Sequence, residues 1–459
     1  MLSINVINEL QKHLDFGIDN YGSPGASLAI YNNGELLKFS SGVLNESTQV
    51  NATVDSIFQI GSISKVLTTT LVMQLVDLGL VRLDDAILDY LPDLKFSDAE
   101  YSRAVTIERL LSHSSGLDGD FFVDGDNSPE KHIKYLEQCG EIPFIFPPGK
   151  YFSYCNSGFV ILGRLIEVIT GQTWDEVLKE RIFDPLGMKH SISNPTDVLR
   201  FRAAIGHVGR QTDNDELLFS PVSKPYLSQS MGPAGTTVTM SASDLIAFTA
   251  MHLNDGRSSM GEQVLSSSSV QTMHQARMSL PAYSGHGVVD CGLGWFLYNW
   301  NDASVFGHDG ATVGQTSFLR IHPEKNLAVA LLTNSDGRQL NEYLSKIIFG
   351  DHLGTDLPCA ALPEIANYES EWCVGCYENL IFRVDVFLEH AKLYYRVSCT
   401  ALTDGLGEPH LYELKAISPR VFIAVAQGDV PDIGTVTFHE DQNGSAKFLF
   451  NRFRMLKRI

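Results

Sequence analysis

Apolar residues change their spacing along this chain in an order that few folds accommodate. Residues 3 to 20 carry them at helical spacing (Ile4, Ile7, Leu10, Leu14). Residues 26 to 32 and 35 to 40 then alternate as two strands around Asn32-Asn33-Gly34, a hairpin turn sequence. Helical spacing takes over for the next two hundred or so residues, an insertion of about 65–290. Residues 62–80 read as a long amphipathic helix closed by Gly79, with further helices over 158–170, 173–182 and 243–254. Alternation returns over 293–299, 303–307, 315–322 and 327–333, before a helix at 338–349. Strands at both ends of a helical middle predict an α+β fold. One antiparallel sheet is assembled from the two ends, and a cleft lies between it and the helical insertion.

A linker rich in Pro and Ala is expected at 353–367. From Tyr368 the chain reads as short alternating segments (381–388, 392–397, 411–415, 421–426, 434–439, 446–455) with turns at Asp404-Gly405 and Asn443-Gly444. That pattern predicts a small antiparallel β-barrel or sandwich over 368–459, after a first domain of 1–352.

The net charge of −20 argues against nucleic acid and anionic membranes as partners. The longest apolar stretch, 159–169, is broken by Arg164 and Glu167 and is too short to span a bilayer. The first twenty residues lack a basic segment followed by an apolar one, which predicts a cytoplasmic protein. Seven scattered cysteines suit a reduced compartment. Cys373 and Cys376 have no second pair nearby and read as strand or core residues rather than metal ligands.

Chemistry is concentrated at Gly61-Ser62-Ile63-Ser64-Lys65. A serine three residues before a lysine on a helix puts hydroxyl and amine on one face, as a serine nucleophile with a lysine base requires. The same spacing recurs at Ser128 and Lys131, but there Pro129 suits a helix start and Ser128 reads as an N-cap. Tyr-x-Asn occurs three times. Tyr31-Asn-Asn33 falls in the first hairpin and Tyr377-Glu-Asn379 in the C-terminal region, whereas Tyr154-Cys-Asn156 precedes a helix of the insertion. A tyrosine there can relay protons if neighbouring cations lower its pKa from about 10. His-x-Gly occurs at His207-Val-Gly209, expected at the surface, and at His308-Asp-Gly310, expected between two strands at the sheet edge.

The ordered set Phe58-Gln-Ile-Gly-Ser62-Ile-Ser-Lys65, Tyr154-Cys-Asn156 and His308-Asp-Gly310 resembles the serine β-lactamase and penicillin-binding-protein superfamily. It is most similar to the class C β-lactamase-like branch that includes esterases and D-aminopeptidases. Leu110-Leu-Ser-His-Ser-Ser-Gly-Leu117, Pro148-Gly-Lys-Tyr-Phe-Ser-Tyr154, Pro185-Leu-Gly-Met188 and Pro233-Ala-Gly235 agree, over roughly residues 1–350. The resemblance implies Ser62 as acylated nucleophile, Lys65 as its base and Tyr154 as general acid/base. Asn156 would orient substrate or Lys65, and His308, Gly310 and Ala311 would line the substrate site. The N–H groups of Ser62 and Ala311 would bind the oxyanion. No metal or cofactor is implied. His308 stands where β-lactamases of the branch carry a lysine, which weakens a site for a β-lactam carboxylate. The expected function is hydrolysis of an amide or peptide bond in a small molecule or short peptide. A carboxylesterase or acyltransferase, a β-lactamase, and a non-catalytic binding protein on the same fold are the alternatives. Specificity is expected from 117–131, 205–232 and the C-terminal region.

Overall fold

The computed structural model describes residues 2, 4–123, 127–211, 217–281, 287–300, 303–355, 365, 370–399, 409–426, 431–442 and 444–459. Most of the expected 353–367 linker, Tyr368 and the Asp404-Gly405 and Asn443 turn positions lie outside that set.

The fold is α+β, with an eight-stranded antiparallel sheet at its centre. Its order across the sheet is Glu35–Gly42, Gly25–Asn32, Leu327–Thr333, Gln315–His322, Ala303–Thr312, Phe296–Trp300, Val288–Cys291 and Met278–Ser279. The N-terminal hairpin pairs with the last strand of the first 333 residues, Ala26 opposite Thr333. The sheet is thus closed from both ends of the sequence. Asn33 and Gly34 both take positive φ (54° and 97°), the two-residue turn that matches the twist of a hairpin. The helices Ile4–Tyr21 and Arg338–Ser345 pack together on one side of the sheet. The helical insertion packs its own apolar core on the other.

Two expectations about this region change. The helix Ser64–Asp77 is not amphipathic, since every residue from Ser64 to Met73 is buried. Its polar side chains are satisfied internally. Thr69 and Thr70 donate to the carbonyls of Lys65 and Val66, and Thr68 to that of Pro233. The strand carrying His308 runs on to Thr312, and three further strands lie beyond it. His308 is therefore on an interior strand, neither in a connection nor at an edge.

The C-terminal strands Gly375–Glu378 to Arg454–Arg458 close into an eight-stranded barrel. The stretch expected as one segment, 446–455, is a hairpin, Ser445–Asn451 with Arg454–Arg458. Its turn residues Arg452 and Phe453 both have positive φ (48° and 65°). Neither is a glycine or asparagine, so the sequence carries no turn signal there. Among the described residues no helix is long and apolar enough to cross a membrane.

Candidate active site

Ser62 sits in a single 3-10 turn, Gly61–Ile63, directly before the buried helix. The Ser64 hydroxyl donates to the Gly61 carbonyl at 2.7 Å and ties the turn down. Gly61 has φ 53°, and a Cβ there would lie 2.5 Å from the Ala311 nitrogen. A Cβ on Gly310 would collide with the Ile60 carbonyl. These two glycines let the central strand press against the Ser62 turn. They bring Ser62 and Ala311, the two expected oxyanion donors, side by side.

Lys65 is fully buried, and Ser62 only partly. Lys65 Nζ lies 3.2 Å from Ser62 Oγ and 2.5 Å from the Ala234 carbonyl oxygen. It also sits 4.8 Å from the centre of the Tyr154 ring. No carboxylate bonds it among the described residues. Burial, and then Arg454, hold its pKa well below that of an ordinary lysine; Asp120 and Cys155 pull the other way. The amine is thus disposed to be neutral, with one N–H spent on Ala234 and a lone pair left for Ser62.

Tyr154 shows the opposite displacement. Burial raises its pKa above that of a free phenol, against the effects of Ser62 and Arg454. The condition for a relay by lowered pKa is not met, because desolvation of the ring outweighs the neighbouring cation. Its hydroxyl is buried with no hydrogen-bond partner of normal geometry. His308 is held neutral, its pKa pushed down to about 3 by burial and then by Lys65. Its Nδ1 lies 2.6 Å from the Asp309 carbonyl oxygen, to which it can only donate. That leaves Nε2 as an unpartnered acceptor.

Asn156 opens the helix Asn156–Thr170, which the Cys155 thiol caps. It does not bond Lys65 among the described contacts. Its amide nitrogen donates to Asp120 Oδ1 at 2.6 Å. Asp120 in turn accepts from Arg454, Nε to Oδ2 at 2.7 Å. Arg454 comes from the barrel, and its guanidinium lies 4.7 Å from the centre of the Tyr154 ring. The barrel hairpin also takes the Tyr154 N–H on the Phe453 carbonyl at 2.8 Å. The sequence reading missed Asp120, Arg454 and the Ala234 carbonyl. Asp120 and Ala234 lie beside or within motifs it had noted, whereas nothing local marks Arg454.

The other copies of the short motifs lie elsewhere. Lys131 pairs with Asp175 at 2.7 Å, and Glu130 rather than Ser128 occupies the N-cap position of its helix. The helix therefore starts two residues later than an N-cap at Ser128 implies. Tyr31 lies in the Gly25–Asn32 strand, and the Tyr377 hydroxyl donates to the Cys373 carbonyl inside the barrel. His207 is buried rather than at the surface. Its Nε2 accepts the Glu46 N–H, and its Nδ1 meets the Asn334 carbonyl, so both ring nitrogens are used structurally. Of the segments expected to set specificity, residues 124–126 and 212–216 lie outside the described residues.

Sheet, buried helix and the Ser62 turn together match a serine hydrolase of the β-lactamase type. The chain belongs to the Beta-lactamase family, which it matches over residues 6–348. It is 43% identical over 345 residues to Penicillin-binding protein 4 of Amycolatopsis lactamdurans, covering 74% of this chain and 88% of that one. The crystal structure of SurE superposes with a TM-score of 0.81 at 26% identity, covering 99% of both chains, and another SurE structure contains D-Leu. A D-amino acid amidase from Ochrobactrum anthropi SV3, complexed with L-phenylalanine amide, gives 0.62 at 25% identity. That alignment covers 75% of this chain and 97% of the amidase.

Proposed function

We propose that this protein forms an acyl-enzyme at Ser62 and hydrolyses an amide or peptide bond. The observation that carries this reading is Lys65, buried with no carboxylate bonded to it among the described residues and 3.2 Å from the Ser62 hydroxyl. A neutral amine in that position accepts the Ser62 proton as Oγ attacks the carbonyl carbon. Charge that develops on the carbonyl oxygen is met by the N–H groups of Ser62 and Ala311. The C–N bond then breaks, and the departing nitrogen takes its proton from Tyr154. The Lys65 ammonium returns a proton to the phenoxide, so both groups end as they began. Water then releases the acid by the same route. The opposite displacements of the two pKa values support Lys65 as base and Tyr154 as acid.

SurE with D-Leu and the D-amino acid amidase support a D-configured acyl donor. Neutral His308 offers no fixed cation to a β-lactam carboxylate, which favours an amide over a β-lactam. The test compares D- and L-aminoacyl anilides, p-nitrophenyl esters and a chromogenic cephalosporin, with the Ser62 adduct located by mass spectrometry. Turnover of D-aminoacyl anilides, abolished in Ser62→Ala, is expected. Faster turnover of every ester than of any amide would sink the amidase reading. Absence of any Ser62 adduct with the fold intact would sink the enzyme reading.

A further inference from the structure

We propose that Arg454 is a positioning residue for this reaction: clamped by Asp120 across the domain boundary and seated on the Tyr154 ring, it completes the base–acid pair only when the barrel is docked. The inference rests on the acyl-serine reading above.

Four contacts carry it, all between the barrel hairpin and the segments around Tyr154. Arg454 meets Asp120 through two nitrogens, Nε to Oδ2 at 2.7 Å and an Nη to Oδ1 at 3.2 Å. The Phe453 carbonyl accepts the Tyr154 N–H, and the Met455 N–H donates to the Ser153 hydroxyl at 3.1 Å. The guanidinium then lies over the Tyr154 face at 4.7 Å, within the range of a cation–π contact. Asp120 is buried, so it holds the guanidinium firmly: an unpaired carboxylate there is costly. The same carboxylate accepts from Asn156, and the adjacent Gly119 carbonyl accepts the N–H groups of Asn156 and Ser157. One short loop therefore holds both the barrel arginine and the start of the helix after Tyr154.

A permanently charged group so placed does two things. It fixes the ring whose hydroxyl serves as acid, and it disfavours a second positive charge on Lys65. The groups that face Lys65 are Ser62 from its own turn, Tyr154 and Cys155 from the segment before the helix, His113 and Asp120 from the loop, His308 from the sheet, and Arg454. His113 and His308 are held neutral by burial, so Arg454 is the one permanent cation in that group.

The test is the pH dependence of Ser62 acylation by a fluorophosphonate and of amide kcat/KM, in the full chain. Arg454→Met is expected to move the acid limb to higher pH by about one unit, the effect of one close charge. At pH values on that limb acylation then falls by up to about tenfold, with kcat rather than KM carrying the loss. Arg454→Lys is expected to leave the limb in place. Asp120→Asn removes a negative charge and is expected to move it to lower pH. If Arg454→Met does not fold, the last two variants carry the test through their different expectations, an unmoved limb and one at lower pH. An unmoved limb in Arg454→Met with only KM raised would make Arg454 a plain substrate contact and overturn the inference. A shift in Arg454→Lys equal to that of Arg454→Met would overturn it too, since charge would then be irrelevant. No acylation of wild-type Ser62 at any pH would refute the acyl-serine reading instead.

Discussion

His113 lies flat against Tyr154, with ring centroids 4.3 Å apart and planes 24° from parallel. The Cys155 N–H donates to His113 Nδ1 at 3.0 Å, so the ring proton resides on Nε2. Burial and then Lys65 hold this histidine neutral. His113 thus braces the candidate acid from one face and satisfies the backbone beside it. Its φ is 55°, a conformation that asparagine tolerates and alanine does not. We expect His113→Ala to lose about 1–3 kcal/mol of stability through the orphaned N–H and the ring contact. His113→Asn should recover part of that loss, but not the brace, leaving kcat low. Urea unfolding and steady-state kinetics on the two variants separate these effects.

Under the proposed function, Lys65 serves chemistry at a cost in stability. In the unfolded chain the amine is charged and hydrated; in the fold it is buried and its pKa is depressed. Lys65→Met keeps an unbranched side chain of similar length and removes that conflict. The expected outcome is a higher Tm together with a fall in turnover of about 10²-fold or more. A lowered Tm would mean that the amine's bond to the Ala234 carbonyl outweighs its desolvation.

Acid should destabilise the protein through histidines far from any catalytic role. His252 is buried and His274 half-buried, 5.3 Å apart between Phe248, Trp295 and Phe306. Burial pushes His274 down to about 3 and His252 well below the usual range. Between those values and the unfolded pKa of about 6.5, the unfolded chain binds more protons, so stability rises with pH. The contribution is fully present above about pH 6.5 and is lost as pH falls toward 3. Each ring contributes up to about 1.4 kcal/mol per pH unit in that window. His274→Phe keeps the stack on Phe306 and should flatten the acid slope by that amount. Urea midpoints at pH 5 and pH 7 measure it.

Gly310 has no room to grow. A Cβ would meet the Ile60 carbonyl, and it would lie 2.5 Å from the Ser317 hydroxyl. Gly310→Ala is expected to push the strand off the Ser62 turn. The cost is about 1–3 kcal/mol of stability, with loss of most acylation because the two expected oxyanion donors separate. Unchanged labelling of Ser62 would show that the turn moves with the strand.

What could be read in the sequence was what is local. Ser62 and Lys65 are one helical turn apart, and Tyr154 and His308 each stand in a short motif, so their types and spacing were visible. Arg454 and Asp120 are 334 residues apart and belong to different units, and neither carries a local signal for the other. The buried state of the Ser64–Asp77 helix was hidden for a related reason. Its threonines look like a polar face until their hydroxyls are seen to be used within the helix. The hairpin at Arg452 and Phe453 was hidden because two ordinary residues adopt a glycine-like conformation there, held by the Tyr154 backbone. His308 lies inside a strand rather than between two, and the glycine two residues on is required by the close approach of Ile60.

Among the described residues, the sheet order leaves its outermost long strand, Glu35–Gly42, with one side unpaired. An open edge of that length is a template for another chain. Two side chains of the first helix guard it. Gln11 Nε2 donates to the Ser40 carbonyl at 3.1 Å, and the Ser41 hydroxyl donates to Asp15 at 2.7 Å. The first helix therefore covers part of that border from within the same chain. Shortened forms that lack it would expose a sticky border, and they would be lost to self-association before their chemistry could be measured.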